Sequence, residues 1–309
     1  MAEDKKVNWR EVGISASGLS DWMTCRQMSK LRKQGWTPRR TPYPLNYGRV
    51  AHEVLEAIHN LQRHGQKDID AKGVVTAVTA RIKKTDGAMW DEYGEQAFEQ
   101  IRAQLLAVMP AYVEYYKKKP EKWLSIEGKF RVAYAGTHLN GRFDAVFEKK
   151  DGLYLLDTKN KSETDVDGDV LLRDIQINFY LLVLWVMTKK FPKGFIYNII
   201  RRPGLKLGKS ESIKSYCERI EEHIKEKGPE YYFQRYNVQL TKDDVIDFDT
   251  WLKKKLPEYF EWCETNMPTE LYGQPCAGRY GPCVYVPICY NNEYVHFNKT
   301  DFSKKGGKK

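Results

Sequence analysis

The chain has 309 residues, of which 41% are hydrophobic and 30% charged, a balance that excludes a disordered protein and allows one elaborated domain or two small ones. Its longest apolar run, residues 179–187, is too short to span a membrane, and the N-terminus lacks the apolar segment of a signal peptide. A formal net charge of +10 favours a polyanionic partner, with nucleic acid ahead of an acidic membrane surface.

The N-terminal part of the chain has helical patterns. Apolar positions at helical spacing predict a first helix over residues 15–34, which carries Cys25, and a second from about Tyr47 to Arg63. Two further helices are predicted near 70–84 and 95–118, the latter ended by Pro120. We therefore expect a helical N-terminal part.

The pattern then changes to short β-prone runs. SIEGKFRVAYA, LNGRFDAVFEK and GLYLLDTKNK are separated by the turn signals AGTHLNG and KKDG, and they predict an antiparallel meander of three strands. A helix over 170–190, a strand over 194–201 and helices near 210–227 and 241–264 should follow. The simplest interpretation is one mixed α/β domain over 1–303, followed by a disordered basic tail at 304–309.

Two aspartates and a lysine are candidates for chemistry within this strand region. Asp144 lies in GRFDAVF, and Asp157 and Lys159 lie in LYLLDTKNK on one face of the next strand. If the strands are neighbours, both carboxylates meet near one end of the sheet and form an oxygen-rich site suited to Mg²⁺ or Mn²⁺. The alternative is an exposed ion pair between Asp157 and Lys159.

Several residues in a fixed order resemble a known family. The stretch from Gly48 to His52, then Asp144, the triplet Asp157-Thr158-Lys159, and the stretch from Gln176 to Tyr180 are together similar to the RecB-like branch of the PD-(D/E)xK nuclease superfamily. The resemblance implies a restriction-endonuclease-like mixed sheet flanked by helices, with a nuclease core over about 45–202.

The resemblance also implies roles for individual residues. Asp144, Asp157 and the backbone carbonyl of Thr158 would bind one or two Mg²⁺ or Mn²⁺ ions, and His52 would add a nitrogen ligand that favours Mn²⁺. Lys159 would position the attacking water, and Gln176 and Tyr180 would orient the Lys159 side chain or a phosphate. Taken singly, His52 could be an ordinary helix histidine, and Gln176 and Tyr180 could belong to a packed helix face.

Three of the six cysteines lie within residues 276–289. The family includes iron–sulfur nucleases, among them AddB nuclease domains and CRISPR-associated exonucleases, with one cysteine before the nuclease motifs and three after them. The resemblance implies that Cys25, Cys276, Cys283 and Cys289 hold a [4Fe–4S] cluster, which would close the fold as a clasp. Zinc is the alternative occupant, and Cys217 and Cys263 are predicted to be buried apolar side chains.

The implied function is metal-dependent exonuclease activity on single-stranded DNA ends, in recombination, repair or end processing. Its partners would be DNA and recombination or replication proteins rather than a membrane, in the cytoplasm of a bacterium or a phage-infected host. Two other functions are alternatives: a structure-specific endonuclease on the same core, and a DNA-binding or assembly factor without catalysis.

Overall fold

The computed structural model describes residues 7–85, 94–117, 121–270, 276–278 and 281–300. The predicted helix end at Pro120 and the predicted disordered tail at 304–309 lie outside these residues. No helix in the described part of the chain is long and apolar enough to cross a membrane.

The fold contains helices and strands in alternation around one central sheet. In chain order the elements are α1 (Trp9–Val12), α2 (Ala16–Thr24), α3 (Arg26–Lys33), β1 (Trp36–Pro38), α4 (Tyr43–Arg63), α5 (Ala71–Thr85), α6 (Gly94–Tyr116), β2 (Lys122–Tyr134), β3 (Thr137–Lys149), β4 (Gly152–Lys161), α7 (Gly168–Leu171), α8 (Ile175–Thr188), β5 (Gly194–Arg201), α9 (Ile213–Lys227), α10 (Pro229–Tyr232), β6 (Phe233–Val238), α11 (Lys242–Glu264), β7 (Ala277–Gly278), β8 (Gly281–Pro282), α12 (Val286–Asn291) and β9 (Phe297–Lys299).

The central sheet is mixed, with five strands in the order β2-β3-β4-β5-β6. The predicted antiparallel meander of β2, β3 and β4 is confirmed, and β5 joins β4 in parallel while β6 pairs antiparallel with β5. The first hairpin turns at Ala135 and Gly136, which have φ values of 45° and 77°, the combination that a two-residue type I′ turn requires. The predicted mixed α/β fold of restriction-endonuclease type is therefore confirmed.

Both faces of β4 are buried, as expected for a central strand with a continuous apolar run. On one face, Leu155 packs with Phe143 and Phe195 against residues of α8 and α11. On the other face, Leu156 and Tyr154 belong to a separate apolar cluster. The strand that carries Asp157 and Lys159 is thereby fixed from both sides.

Two predicted helices are each divided in the structure. The prediction of one helix over 15–34 is wrong, because Cys25 has an extended backbone, with φ −157° and ψ 110°, that ends α2 and starts α3. The helix predicted over 170–190 divides at Asp174, whose carboxylate accepts the Ile177 N–H and caps α8. The Asn178 amide also donates to the carbonyls of Leu172 and Asp174, which holds this junction in a non-helical form.

Strands at the two ends of the described chain pair with each other, which the sequence did not predict. β1 pairs antiparallel with β9, and the Tyr285 hydroxyl donates to the Trp36 carbonyl at 2.9 Å. Leu31, Ile288 and Phe297 are buried in one small cluster between them. The N-terminal helices and the cysteine-bearing C-terminal segment therefore form one packed unit.

His59 is a buried neutral base within the fold. It is 4% exposed on α4, and its ring stacks on Trp123 of β2 with 4.5 Å between centroids. Burial lowers the pKa of His59 from 6.5 to about 3, with a smaller contribution from the nearby Arg235 guanidinium. Because the folded pKa lies below the unfolded value, the stability from neutral His59 is complete above pH 6.5 and is lost as the pH falls toward 3.

We expect acid to destabilise the protein partly through His59. Below the unfolded pKa, the wild type should lose about 1.4 kcal/mol of unfolding free energy per pH unit more than His59→Phe, which keeps an aromatic ring but cannot titrate. Urea unfolding between pH 7 and pH 4 measures this difference. His64→Gln, at an exposed position just after α4, should follow the wild type, and parallel curves for wild type and His59→Phe would contradict the assignment.

Candidate active site and cysteine cluster

The pairing of β3 with β4 brings the two predicted aspartates together. Ala145 is paired with Leu156 in the antiparallel register, so Asp144 and Asp157 are the next residues on facing strands. Beyond this pair, the Thr158 N–H donates to Asp144 Oδ2 at 2.7 Å. This hydrogen bond fixes the position of the Asp144 side chain.

The predicted lysine lies in a chain of polar contacts between β4 and α8. Lys159 Nζ is 2.7 Å from Asp157 Oδ2 and donates to Gln176 Oε1 at 2.8 Å. The Gln176 amide in turn donates to the Tyr180 hydroxyl at 3.2 Å, across one turn of α8. The structure therefore brings Asp157, Lys159, Gln176 and Tyr180 into one connected set.

His52 of α4 approaches the same strands from the helical side. Its Nε2 is 3.0 Å from the Thr158 carbonyl oxygen, and its Nδ1 is 3.6 Å from Asp144 Oδ2 and 3.5 Å from Glu127 Oε1. The structure thus places His52 beside Asp144 and the Thr158 carbonyl, two of the groups that the resemblance implied as its co-ligands.

Glu127 is part of the site and was missed by the sequence reasoning. It lies on β2 with φ 46°, a left-handed backbone that a non-glycine residue adopts at a cost of about 1–3 kcal/mol. Its side chain is 6% exposed, and Oε2 pairs with Arg142 Nε at 2.7 Å. The sequence did contain a signal for Glu127, because it is a charged residue just before Gly128 inside a β-prone run, where a buried carboxylate is unexpected.

Burial and mutual repulsion dominate the electrostatics of these groups. Burial raises the pKa of Asp144 well above its usual range, and Asp157 adds to the rise while His52 opposes it. Burial opposes protonation of His52, but Glu127 and Asp144 outweigh it and raise the pKa of the imidazole. For Lys159, burial is likewise outweighed by Asp157, and the pKa of the amine lies above its ordinary value. The contact with Asp157 therefore favours the charged form of Lys159.

The donor set fits a hard divalent cation. One donor atom each from His52, Glu127 and Asp144 lies within 4.8 Å of the others, and two carboxylates with one imidazole suit Mg²⁺ or Mn²⁺. Asp157 lies outside this group of three, and its Oδ2 is buried without a hydrogen bond of good geometry beside the ion pair with Lys159. A cation near Asp144 would offset the repulsion among these carboxylates.

The carboxylates lie in an open cleft of about 690 Å³ between the sheet and the helices α4 and α5. The residues that line it are Arg49, His52, Glu53, Glu56, Arg81, Thr85, Glu127, Arg142, Asp144, Asp157, Lys159 and Gln176. Among the arginines of this lining, Arg81 pairs with Glu53 and Arg142 pairs with Glu127.

The four cysteines implied by the resemblance line a second, small pocket. Cys25 meets Cys276, Cys283 and Cys289 there, and the Met28 N–H donates to Cys25 Sγ at 3.4 Å. Burial raises the pKa of Cys289 to about 11, and the neighbouring sulfurs of Cys283, Cys25 and Cys276 add to the rise. Cysteines bind metals as thiolates, so a metal group in this pocket would have to displace the thiol protons.

The pocket at these cysteines has a volume of about 40 Å³. Four thiols around one small cavity can serve as ligands for a zinc ion or for an iron–sulfur cluster.

The other two cysteines lie elsewhere, one on each of two helices. Cys263 of α11 is buried, in agreement with the prediction, whereas Cys217 of α9 is half-buried. All six cysteines are free thiols in the structure.

Comparison with known proteins gives the family of the chain. The fold is similar to a solved structure from Eubacterium rectale, of a protein provisionally named an exonuclease, with a TM-score of 0.51, 11% sequence identity and coverage of 96% of this chain and 93% of that one. At this identity the likeness supports the fold alone. No curated protein matches the chain. Residues 13–290, nearly the whole sequence, match the family described as the PD-(D/E)XK nuclease superfamily, and the chain therefore belongs to that superfamily.

Proposed function

We propose that the chain is a Mg²⁺- or Mn²⁺-dependent DNA exonuclease of the RecB-like branch that hydrolyses phosphodiester bonds at single-stranded ends. The observation that carries the proposal is the meeting of Asp144, Asp157 and Lys159 beside His52 at the floor of one open cleft. Membership of the nuclease superfamily gives the reaction class, a hydrolysis.

The polar chain on β4 and α8 gives Lys159 a defined task. Asp157 and Gln176 hold its ammonium group, and Tyr180 accepts a hydrogen bond from the Gln176 amide, which fixes the amide orientation. A fixed cation with three donors can orient an attacking water and stabilise negative charge that develops on a phosphate oxygen.

Asp144, Asp157 and the Thr158 carbonyl, with His52, would hold the divalent cation. Such a cation supplies Lewis-acid activation of water and neutralises phosphate charge. In the hydrolysis, a water oxygen forms a bond to phosphorus as the bond to the leaving oxygen breaks in line. No enzyme side chain needs to become covalently attached to the substrate.

Single-stranded DNA ends are the proposed substrate. A net charge of +10 and the arginines Arg49, Arg81 and Arg142 around the cleft favour a phosphate backbone. The name of the Eubacterium rectale neighbour, an exonuclease, agrees with this proposal. A role in recombination, repair or end processing, with the corresponding protein partners, in a bacterial or phage-infected cytoplasm, remains a prediction from the sequence.

The substrate proposal can be tested on linear and circular single strands. With Mn²⁺, the wild type should shorten end-labelled linear single-stranded DNA and leave circular single-stranded DNA intact. Lys159→Ala should lower the rate on linear DNA by at least about 10³-fold, because the fixed cation at the phosphate is lost. Gel analysis of both substrates measures these rates.

Lys161→Ala is the matched control for this test. It removes a lysine from the same strand whose ammonium group lies over the Tyr197 ring instead of in the cleft, so its rate should stay near the wild-type value. Cleavage of the circles would indicate an endonuclease, absence of cleavage by the wild type would indicate a binding factor, and full activity of Lys159→Ala would refute the site.

We further propose that Cys25, Cys276, Cys283 and Cys289 hold a [4Fe–4S] cluster. The proposal is supported by the meeting of the four cysteines in one pocket, by the N–H donor at Cys25 and by the position of that pocket between the two ends of the chain. The cluster would be structural, since it would join α3 to the segment around α12.

With the [4Fe–4S] cluster bound, protein purified without oxygen should be brown, with broad absorption at about 400 nm and about four iron atoms per chain. Cys25→Ser should lose iron and the colour and should unfold at a lower temperature. Cys217→Ser, in α9, should keep both.

Absorption spectra, iron analysis and thermal unfolding of the three proteins measure these outcomes. A colourless wild type that contains one zinc ion would favour the zinc alternative. Full iron content in Cys25→Ser would show that another ligand completes the site.

A further inference from the structure

The two nitrogens of His52 have different surroundings. Nε2 lies 3.0 Å from the Thr158 carbonyl oxygen, and because a carbonyl only accepts hydrogen bonds, Nε2 carries the hydrogen. Nδ1 faces two carboxylate oxygens, Glu127 Oε1 at 3.5 Å and Asp144 Oδ2 at 3.6 Å. It can direct the second imidazole proton toward them or, without that proton, offer a lone pair to a cation.

Two carboxylate oxygens beside an imidazole nitrogen need positive charge between them, which either a proton on Nδ1 or a divalent cation supplies. Donors on an octahedral cation with ligand distances of about 2.1 Å are separated by roughly 3 Å. The observed separations are therefore only slightly wider than a bound ion requires. The Thr158 carbonyl would fix the ring orientation, as outer partners of metal-binding histidines commonly do.

Glu127 is held so that one oxygen remains available to such an ion. Arg142 pairs with Oε2 at 2.7 Å, while Oε1 is the oxygen on the side of His52. The left-handed backbone of Glu127 does not shift the strand register, since Ile126 and Gly128 keep their partners Ala145 and Phe143 on β3. The conformation therefore changes the direction of one side chain within a regular hairpin.

A cation beside His52, Glu127 and Asp144 would lie at a different position from one held between the two aspartates. Asp157 is not in the group of three, and its Oδ2 contacts Lys159. Asp144 belongs to both positions, since it contacts the Thr158 amide and also faces His52. An aspartate in that place can bridge two cations, the arrangement found in two-metal hydrolases.

We propose that His52 Nδ1, Glu127 and Asp144 form a second divalent-cation position, next to the one provided by Asp144, Asp157 and the Thr158 carbonyl. Asp144 bridges the two positions. Glu127 is then a ligand outside the residues that the resemblance implied, and His52 belongs to the second position rather than the first. The inference rests on the proposed metal-dependent function and deepens it.

Mn²⁺ binding to the full chain tests the proposal without an activity assay. The wild type should bind two Mn²⁺ ions per chain, and Glu127→Gln should bind one. Glu127→Gly should also bind one, and it suits the positive φ at this position, so it keeps the test valid if Glu127→Gln folds poorly. Isothermal titration calorimetry gives the stoichiometry, and circular dichroism checks the fold.

Glu53→Gln is the matched control. Glu53 lines the same cleft but pairs with Arg81 at 3.1 Å, so this variant removes the same charge and should still bind two ions. Two ions in Glu127→Gln and Glu127→Gly, or a single ion in both the wild type and those variants, would overturn the inference. A wild type that binds no Mn²⁺ would instead refute the metal-dependent function itself.

Discussion

The burial of three carboxylates around one point is the constraint on which the site depends. Asp144, Asp157 and Glu127 all have side chains that are mostly removed from water, so their mutual repulsion is screened less than it would be at the surface. The fold compensates with Lys159 on Asp157 and Arg142 on Glu127. Asp144 has the Thr158 amide and the imidazole of His52, whose pKa the neighbouring carboxylates raise. Asp144 therefore has no partner with a fixed charge, and a divalent cation would fit best beside it.

The rest of the architecture keeps these groups in place. β4 lies between β3 and β5 with both faces covered, so Asp157 and Lys159 are held on a rigid strand. The capped start of α8 at Asp174 fixes where Gln176 meets Lys159. The pairing of β1 with β9 closes the far end of the chain around the cysteine pocket. The elements that hold the candidate active site and the strands that join the two ends of the chain are thus distinct parts of one fold.

Local signals explain which features the sequence could predict. The meander and β5 were found because their turns and apolar runs are local, and the aspartates followed because pairing of adjacent strands is determined by a short turn. The breaks at Cys25 and Asp174 were missed because each depends on one capping contact inside an apolar pattern. Glu127 was missed because its role depends on a positive φ and on His52 of a distant helix. The β1–β9 pair joins residues too far apart in sequence for any local pattern to indicate.

The most direct measurement of the central claim is a crystal structure of the protein soaked in Mn²⁺, with anomalous scattering recorded at the manganese absorption edge. We expect an anomalous peak within about 2.2 Å of an Asp144 carboxylate oxygen, on the side of Asp157, on the side of Glu127 and His52, or on both sides. Manganese bound elsewhere in the crystal, with no peak at Asp144, would contradict the claim that these buried carboxylates form a cation site.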